Sequence, residues 1–339
     1  QELLNGSTDA IAAAREADII AGFERAEAIQ KDFQAKKKLS LRSFWERLRQ
    51  QVDDINQPIL KKQRAAEEAG AIFEEQSDPA FLLEEQSMAA NENFLLAEAF
   101  QSRIVIPLEN AGISLHDFGI YTLLDRIRTG RAEIANPYGH TTKTANDQLA
   151  YLKKRLGEEN FAFLHDRVVA FHDLVFPSVE EAVRVGSYNK ETFETRIKPN
   201  KDNYAAFQVV DYMQEKMPAT IKAQVGTFKE VANPAISTIL KTIALNRLNA
   251  YQRAKNGTIQ MLKRDYPEDI APTKRITSDG KLSVFKPAPD RGTIEVLEDG
   301  KMQSYDVDPY IAESFQKHKV GDLNMLVALD ANQCLAVAN

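Results

Sequence analysis

Apolar residues recur every three or four positions through most of the chain, the spacing of amphipathic helices. Ile11, Ile19, Ile20 and Phe23 follow Ser7-Thr8-Asp9, a cluster suited to a helix N-cap. Leu41, Phe44, Trp45, Leu48, Val52 and Ile55 follow Ser40 with the same period. Pro58 either kinks that run or opens a new helix in its first turn. Asp78-Pro79 opens a helix through Leu82, Leu83, Met88 and Phe94. Ser114 caps one carrying Phe118, Tyr121, Leu124 and Ile127, and Thr141 or Thr142 caps one carrying Ala145, Leu149, Leu152 and Leu156. Beyond Gly157 a longer pattern runs through Phe161, Leu164, Val168, Phe171 and Val175. Pro177 is expected to interrupt it, Ser178 to recap it and Gly186 to close it. Asn189 caps a further turn or two. Tyr204, Phe207 and Val210 fall on another helix, Pro218 opens one more, and a last helix runs from Pro234 to Leu262.

After Pro267 the period changes from helical to alternating. Thr293 to Leu297 alternates, Glu298-Asp299-Gly300 turns, and Met302 to Val307 returns, the signature of a β-hairpin. Asp308-Pro309 starts a short helix with Tyr310, Ile311 and Phe315. Leu323–Leu329 and Cys334–Val337 read as strands. The expected fold class is therefore mainly α, a multi-helix orthogonal or bundle array with a small C-terminal β-rich (α+β) module. The expected divisions are an N-terminal helical segment over 1–38, a helical domain over 39–270 and the β-rich module over 271–339. No period of 33–45 residues marks a repeat array.

Composition narrows the class. The 339 residues carry a net charge of −6, with 43% hydrophobic and 27% charged residues, ordinary for a globular protein. One cysteine, Cys334, rules out a disulfide scaffold, and in an apolar run it reads as a small buried hydrophobe. No apolar run reaches the roughly 18 residues of a membrane span. The charged first thirty residues hold no signal-peptide core. A chain starting at Gln1 and stopping after an apolar run is expected to be a fragment of something longer, or a processed product.

The search for chemistry yields little. P-loop, dinucleotide-binding and nucleophile-elbow motifs are absent, as is the E-x-x-H pair of di-iron bundles. His165 and His172 lie seven apart on one helix face, wider than one-helix zinc motifs use. Glu-Glu pairs at 67–68, 74–75, 84–85, 158–159 and 180–181 read as solvated faces. No cofactor is implied. Lys36, Lys37 and Lys38, with Arg42, Arg47 and Arg49, form the basic cluster. With Phe44 and Trp45 between them they could touch phosphates and stack a base, although both aromatics also fit the apolar stripe.

Three stretches resemble the domains associated with large polyvalent proteins of phages and conjugative elements. They are Asn203-Tyr204-Ala205-Ala206-Phe207 with Val209-Val210-Asp211-Tyr212; Gly226 to Asn233-Pro234 with Thr238 and Lys241-Thr242; and Glu298-Asp299-Gly300-Lys301 with Tyr305 to Asp308-Pro309. The likeness spans about residues 40–320. It implies a non-enzymatic structural or interaction segment inside a very long chain that enters the recipient cell with the DNA. It places the chain in the virion interior and then the recipient cytoplasm. Its partners would be other modules of the same chain or virion and transfer proteins, with weak DNA contact and homo-oligomers as further expectations. No catalytic residues come with it. Asn203, Tyr204, Phe207, Gly226, Asn233, Pro234, Asp299, Gly300, Asp308 and Pro309 also have structural readings: helix brackets, a turn and core positions. Two alternatives stand beside it. One is an internal virion protein that assembles into an ejection core. The other is an enzyme with an unrecognised site, near His140, Asn203 or His165.

Overall fold

A computed structural model describes residues 2–35, 56–129, 136, 138–203, 233–278 and 282–316. The helical run over 40–55 and the strand-like runs beyond 320 lie outside the described residues, as do the helices expected over 204–232. What is described is mainly α with a small antiparallel sheet near the C-terminus.

Helix α1 spans Glu2–Ala35. It begins before the expected cap, so Ser7-Thr8-Asp9 lies inside it. Ile19 and Phe23 are buried, but Ile11 stays 55% exposed and is no core residue. Helix α2 spans Gln57–Glu68, with Pro58 in its first turn. Helix α3 spans Pro79–Phe100 and is capped by Asp78, whose carboxylate accepts from Phe81 N at 3.1 Å. Gln63 ties α2 to that start, accepting from Ala80 N at 2.8 Å and donating to Asp78 at 2.9 Å. The helical path runs on through a π-turn, Gln101–Val105, into Ile106–Asn110. Pro107 supplies the cause, since it cannot donate the bond a regular α-turn needs there.

Helix α4, Leu115–Thr129, is buried on nearly every side and forms the centre of the bundle. Ser114 and Asp117 bond each other's backbone N–H at its start. Helix α5, Thr142–Leu156, opens on a reciprocal pair between Thr141 and Thr144. Gly157, at φ +85°, ends it and leads into α6, Glu158–Arg184. Here the structure corrects the sequence reading: α6 passes Pro177 without a break. Val175, Phe176 and Val179 are all buried around the proline. The Asn249 amide donates to the Ser178 carbonyl at 2.9 Å. Packing of this extent outweighs the ~3 kcal/mol an interior proline costs. Gly186 then closes the helix at φ +80°. Residues 190–203 form one α-turn, a π-turn and a 3-10 turn. Helix α7 spans Pro234–Asp265 and packs against α3, α4 and α6.

Five short strands follow: β1 Ala271–Pro272, β2 Lys274–Ser278, β3 Leu282–Lys286, β4 Gly292–Glu298 and β5 Lys301–Val307. The order β1-β5-β4 makes one antiparallel sheet, and β2-β3 pair separately. Helix α8, Pro309–Gln316, packs on β4. One hydrophobic core joins α1, α3, α4, α5, α6 and the first half of α7. A second joins Ile59 of α2, Leu82 and Leu83 of α3, Leu262 of α7, Ile294, Val296, Tyr305 and Val307 of the sheet, and Phe315 of α8. The sheet thus shares its apolar interior with helices far earlier in the chain.

Candidate binding groove along the long helix

The C-terminal half of α7 forms the floor of a groove. Three cavities of about 410, 240 and 390 Å³ lie along it. The first is bounded by Glu85 on α3, Arg184 on α6, and Arg253 and Asn256 on α7. The second runs under Leu297 and Glu298 of the hairpin, and the third meets Phe73, Lys263 and Arg264. Gln260 lines all three.

Local sequence explains the shape. Gly257 lets α3 approach, because a Cβ there would come within 2.5 Å of Leu82 Cδ1. Gly186 carries the α6 corner under the hairpin; a Cβ there would meet the Leu297 carbonyl at 2.7 Å. Asp299 and Gly300, at φ +51° and +74°, form the tight turn that meets this corner. Gly300 N donates to Gly186 O at 2.9 Å. The Asp299 carboxylate accepts from Lys190 N at 2.9 Å and from Asn189 Nδ2 at 2.8 Å. The hairpin tip therefore caps the turn that begins at Lys190.

The basic residues of the groove are each paired within the chain. Arg253 reaches Glu181 at 2.8 Å, Glu85 at 3.3 Å and Glu92 at 3.5 Å. Burial raises the Glu92 carboxyl above its usual range; Arg253 pulls it down, while Glu85 and Glu181 push it further up. Arg184 bonds Glu181 at 2.6 Å, Arg264 bonds Asp265 at 2.8 Å, and Lys263 donates to Tyr305 Oη at 2.9 Å. Gln260, by contrast, is exposed, and its side-chain amide has no partner among the described residues. An amide at the junction of three cavities can both donate to and accept from a polypeptide backbone.

Beside the groove, α7 also covers the free edge of β4. Residues 295 and 297 alternate with the positions that bond β5, so their carbonyls point outward. Gln252 donates to Leu297 O at 3.0 Å and Lys255 to Glu295 O at 2.6 Å. The Lys255 ammonium also sits 4.3 Å from the Tyr251 ring centroid. Desolvation lowers its pKa from 10.5 to about 8, with Glu295 opposing the shift. Satisfying edge carbonyls in this way blocks pairing with another strand.

The residues singled out in the sequence do not converge on one place. Lys36, Lys37, Lys38 and Arg42 lie outside the described residues, as do Tyr204, Phe207, Gly226 and Cys334. Asn203 ends the 3-10 turn. Asn233 caps α7, accepting from Ala235 N at 3.0 Å, and also donates to Leu115 O at 3.2 Å, while Pro234 takes the first helical position. Asp308 accepts from Tyr310 N at 2.8 Å, with Pro309 first in α8. His165 is exposed and bonds Tyr121 Oη at 2.8 Å, whereas His172 is buried. His140 is buried, with neither ring nitrogen hydrogen-bonded. Burial and the charge of Arg15 hold its pKa below the ordinary value. Among the described residues no His, Cys, Asp or Glu cluster could hold a metal, and no helix is long and apolar enough to cross a membrane.

Sequence reasoning missed Arg253, Lys255 and Gln260. For Arg253 and Gln260 the signal was legible as a polar ladder, Asn246, Asn249, Gln252, Arg253, Asn256 and Gln260, at helical spacing along a largely buried helix; Lys255 stands outside that ladder. The fold and groove define a mainly helical protein with a small sheet and an open groove of mixed polar and apolar lining along α7. Comparisons of the chain with protein-family models, curated proteins and solved structures found no match.

Proposed function

We propose that this chain is a non-enzymatic interaction segment of a large polyvalent protein of a phage or mobile element, entering the recipient cell with the DNA. The observation that supports this reading is the chemistry of the groove. Its basic residues are each paired within the chain, and the exposed Gln260 amide lies where its three cavities meet. Such a lining suits contact with a polypeptide. Neighbouring modules of the same chain, or virion and transfer proteins, are the partners this reading expects there. The motif residues within the described part join elements: Asn233-Pro234 and Asp308-Pro309 start helices, and Asp299-Gly300 docks the hairpin. Contact with DNA would fall to Lys36–Lys38 and Arg42.

The test is delivery. One half of a split reporter is fused to the chain in the element that encodes it, and the other half is expressed in recipient cells. Signal in recipients upon transfer is the expected result. Absence of signal, with the fusion intact in the donor and DNA transfer normal, overturns the proposal.

A further inference from the structure

The β2–β3 ribbon stands apart from the three-stranded sheet. Among the described residues its strands pair only with each other, in a register that runs from Lys274 opposite Lys286 to Ser278 opposite Leu282. Five residues per strand make an arm of about 17 Å. Both feet of the arm rest on one buried carboxylate. Asp306 of β5 accepts from Thr273 Oγ1 at 2.7 Å just before β2, and from Ala288 N at 3.0 Å just after β3. Ser304 Oγ donates to Thr273 Oγ1 at 3.0 Å, and Thr273 N donates to Ser304 O at 2.9 Å. Arg291 pins the returning chain by donating to the Asp269 carbonyl at 3.1 Å. The arm therefore leaves the sheet from a fixed base.

The charge of the arm is opposite to that of the chain. Its strand residues include Lys274, Arg275 and Lys286 and no acid, whereas the whole chain carries −6. Lys274 and Lys286 are exposed, and neither has a partner among the described residues. The groove shows the contrast: Arg184, Arg253, Lys263 and Arg264 each have an acceptor there. Directly opposed strand residues have Cβ atoms about 4.5–5.5 Å apart, and like charges at that distance cost stability. Anionic groups brought to the root of the arm relieve that cost. Two open lysines hold a lone small anion poorly against water, but a polymer of phosphates engages both and releases counterions. Shape selects among such polymers. The major groove of duplex DNA admits a two-stranded ribbon, while that of an RNA duplex is too narrow. From the isolated pairing, the fixed base and the unpartnered cation pair, we infer that the β2–β3 arm enters the major groove of duplex DNA, with Lys274 and Lys286 on backbone phosphates. This contact is separate from Lys36–Lys38 and Arg42, and it does not rest on the delivery reading.

The probe is a fluorescein-labelled DNA duplex titrated with the full chain and read by anisotropy between about 50 and 200 mM salt. Each phosphate contact contributes about −0.9 to the slope of log K against log salt. Lys274→Gln and Lys286→Gln are each expected to flatten that slope by about one, and the double variant by about two. Urea unfolding of these variants is expected to be unchanged or slightly more resistant, because the like-charge pair is gone. An RNA duplex of the same sequence is expected to bind about tenfold more weakly. No binding of DNA by the unmodified chain at the low-salt end overturns the inference. Slopes unchanged in the glutamine variants, with binding lost on replacing Lys36, Lys37 and Lys38 by alanine, transfer the contact to that cluster and overturn it too. Equal affinity for the RNA duplex contradicts entry into the major groove. Binding and stability that fall together in the glutamine variants give the two lysines a structural role and refute the assignment.

Discussion

Lys255 gives the sharpest perturbation. Its ammonium covers the β4 edge by donating to the Glu295 carbonyl, and desolvation drops its pKa from 10.5 to about 8. In the unfolded chain the same lysine keeps its proton until about pH 10.4. Between these two values the unfolded state binds more protons, so stability rises with pH. The full gap corresponds to about 3 kcal/mol at 1.36 kcal/mol per pH unit, and about 2 kcal/mol of it returns between pH 7 and 9.5. Stopping at 9.5 keeps clear of Tyr251, whose pKa burial raises above its usual 10. Lys255→Met removes the titrating group. It also leaves the Glu295 carbonyl without its partner, a loss of about 1 kcal/mol. The assay is urea unfolding at pH 7, 8, 9 and 9.5 for both proteins. The unmodified chain is expected to gain about 2 kcal/mol relative to Lys255→Met over that range. Parallel pH dependences in the two proteins would refute the reasoning.

The other perturbations address single joints. His140 is buried with a lowered pKa, so the unfolded chain takes up a proton near 6.5 before the folded one does. Stability should therefore fall as pH drops from 7 to 5.5, and His140→Phe should flatten that fall in thermal melts at each pH. Gly300→Ala places a Cβ 2.9 Å from Asn189 N at φ +74°, and a loss of about 2 kcal/mol is expected in chemical unfolding. Gly119→Ala sets a Cβ 2.5 Å from Asn233 Oδ1 and should cost about 2 kcal/mol. In an Asn233→Ala background that cost should shrink, because the clashing side chain is gone, and a double-mutant cycle measures the difference.

How far these joints were legible in the sequence depends on the range of the interaction. Asp78-Pro79, Asn233-Pro234 and Asp308-Pro309 read correctly as helix starts, since an acceptor side chain and a residue without an N–H act within one turn. The Asp299-Gly300 turn was visible for the same reason: two left-handed residues between alternating runs. Pro177 was misread because its local cost is outweighed by Phe176 and Val179 packing against other elements, which no local window contains. Ser7-Thr8-Asp9 failed because cap residues are tolerated within a helix. Met88 and Phe94 fit the helical spacing of α3, yet they stand on its outer side, and period alone does not say which face is core. The groove was invisible as a place. Gln260 and Arg253 sit near Glu75, Glu85, Arg184 and Glu298 only after four distant parts of the chain have packed.

The central claim is that this chain works as a joining segment of a much longer polyvalent protein. The most direct measurement is the reading frame on both sides of residues 1–339 in the element that encodes them. The account expects the frame to continue for many hundreds of residues, with enzyme motifs elsewhere along it. A frame that opens at the start of this chain and closes after Asn339 would contradict it and would leave a self-contained virion or binding protein as the better reading.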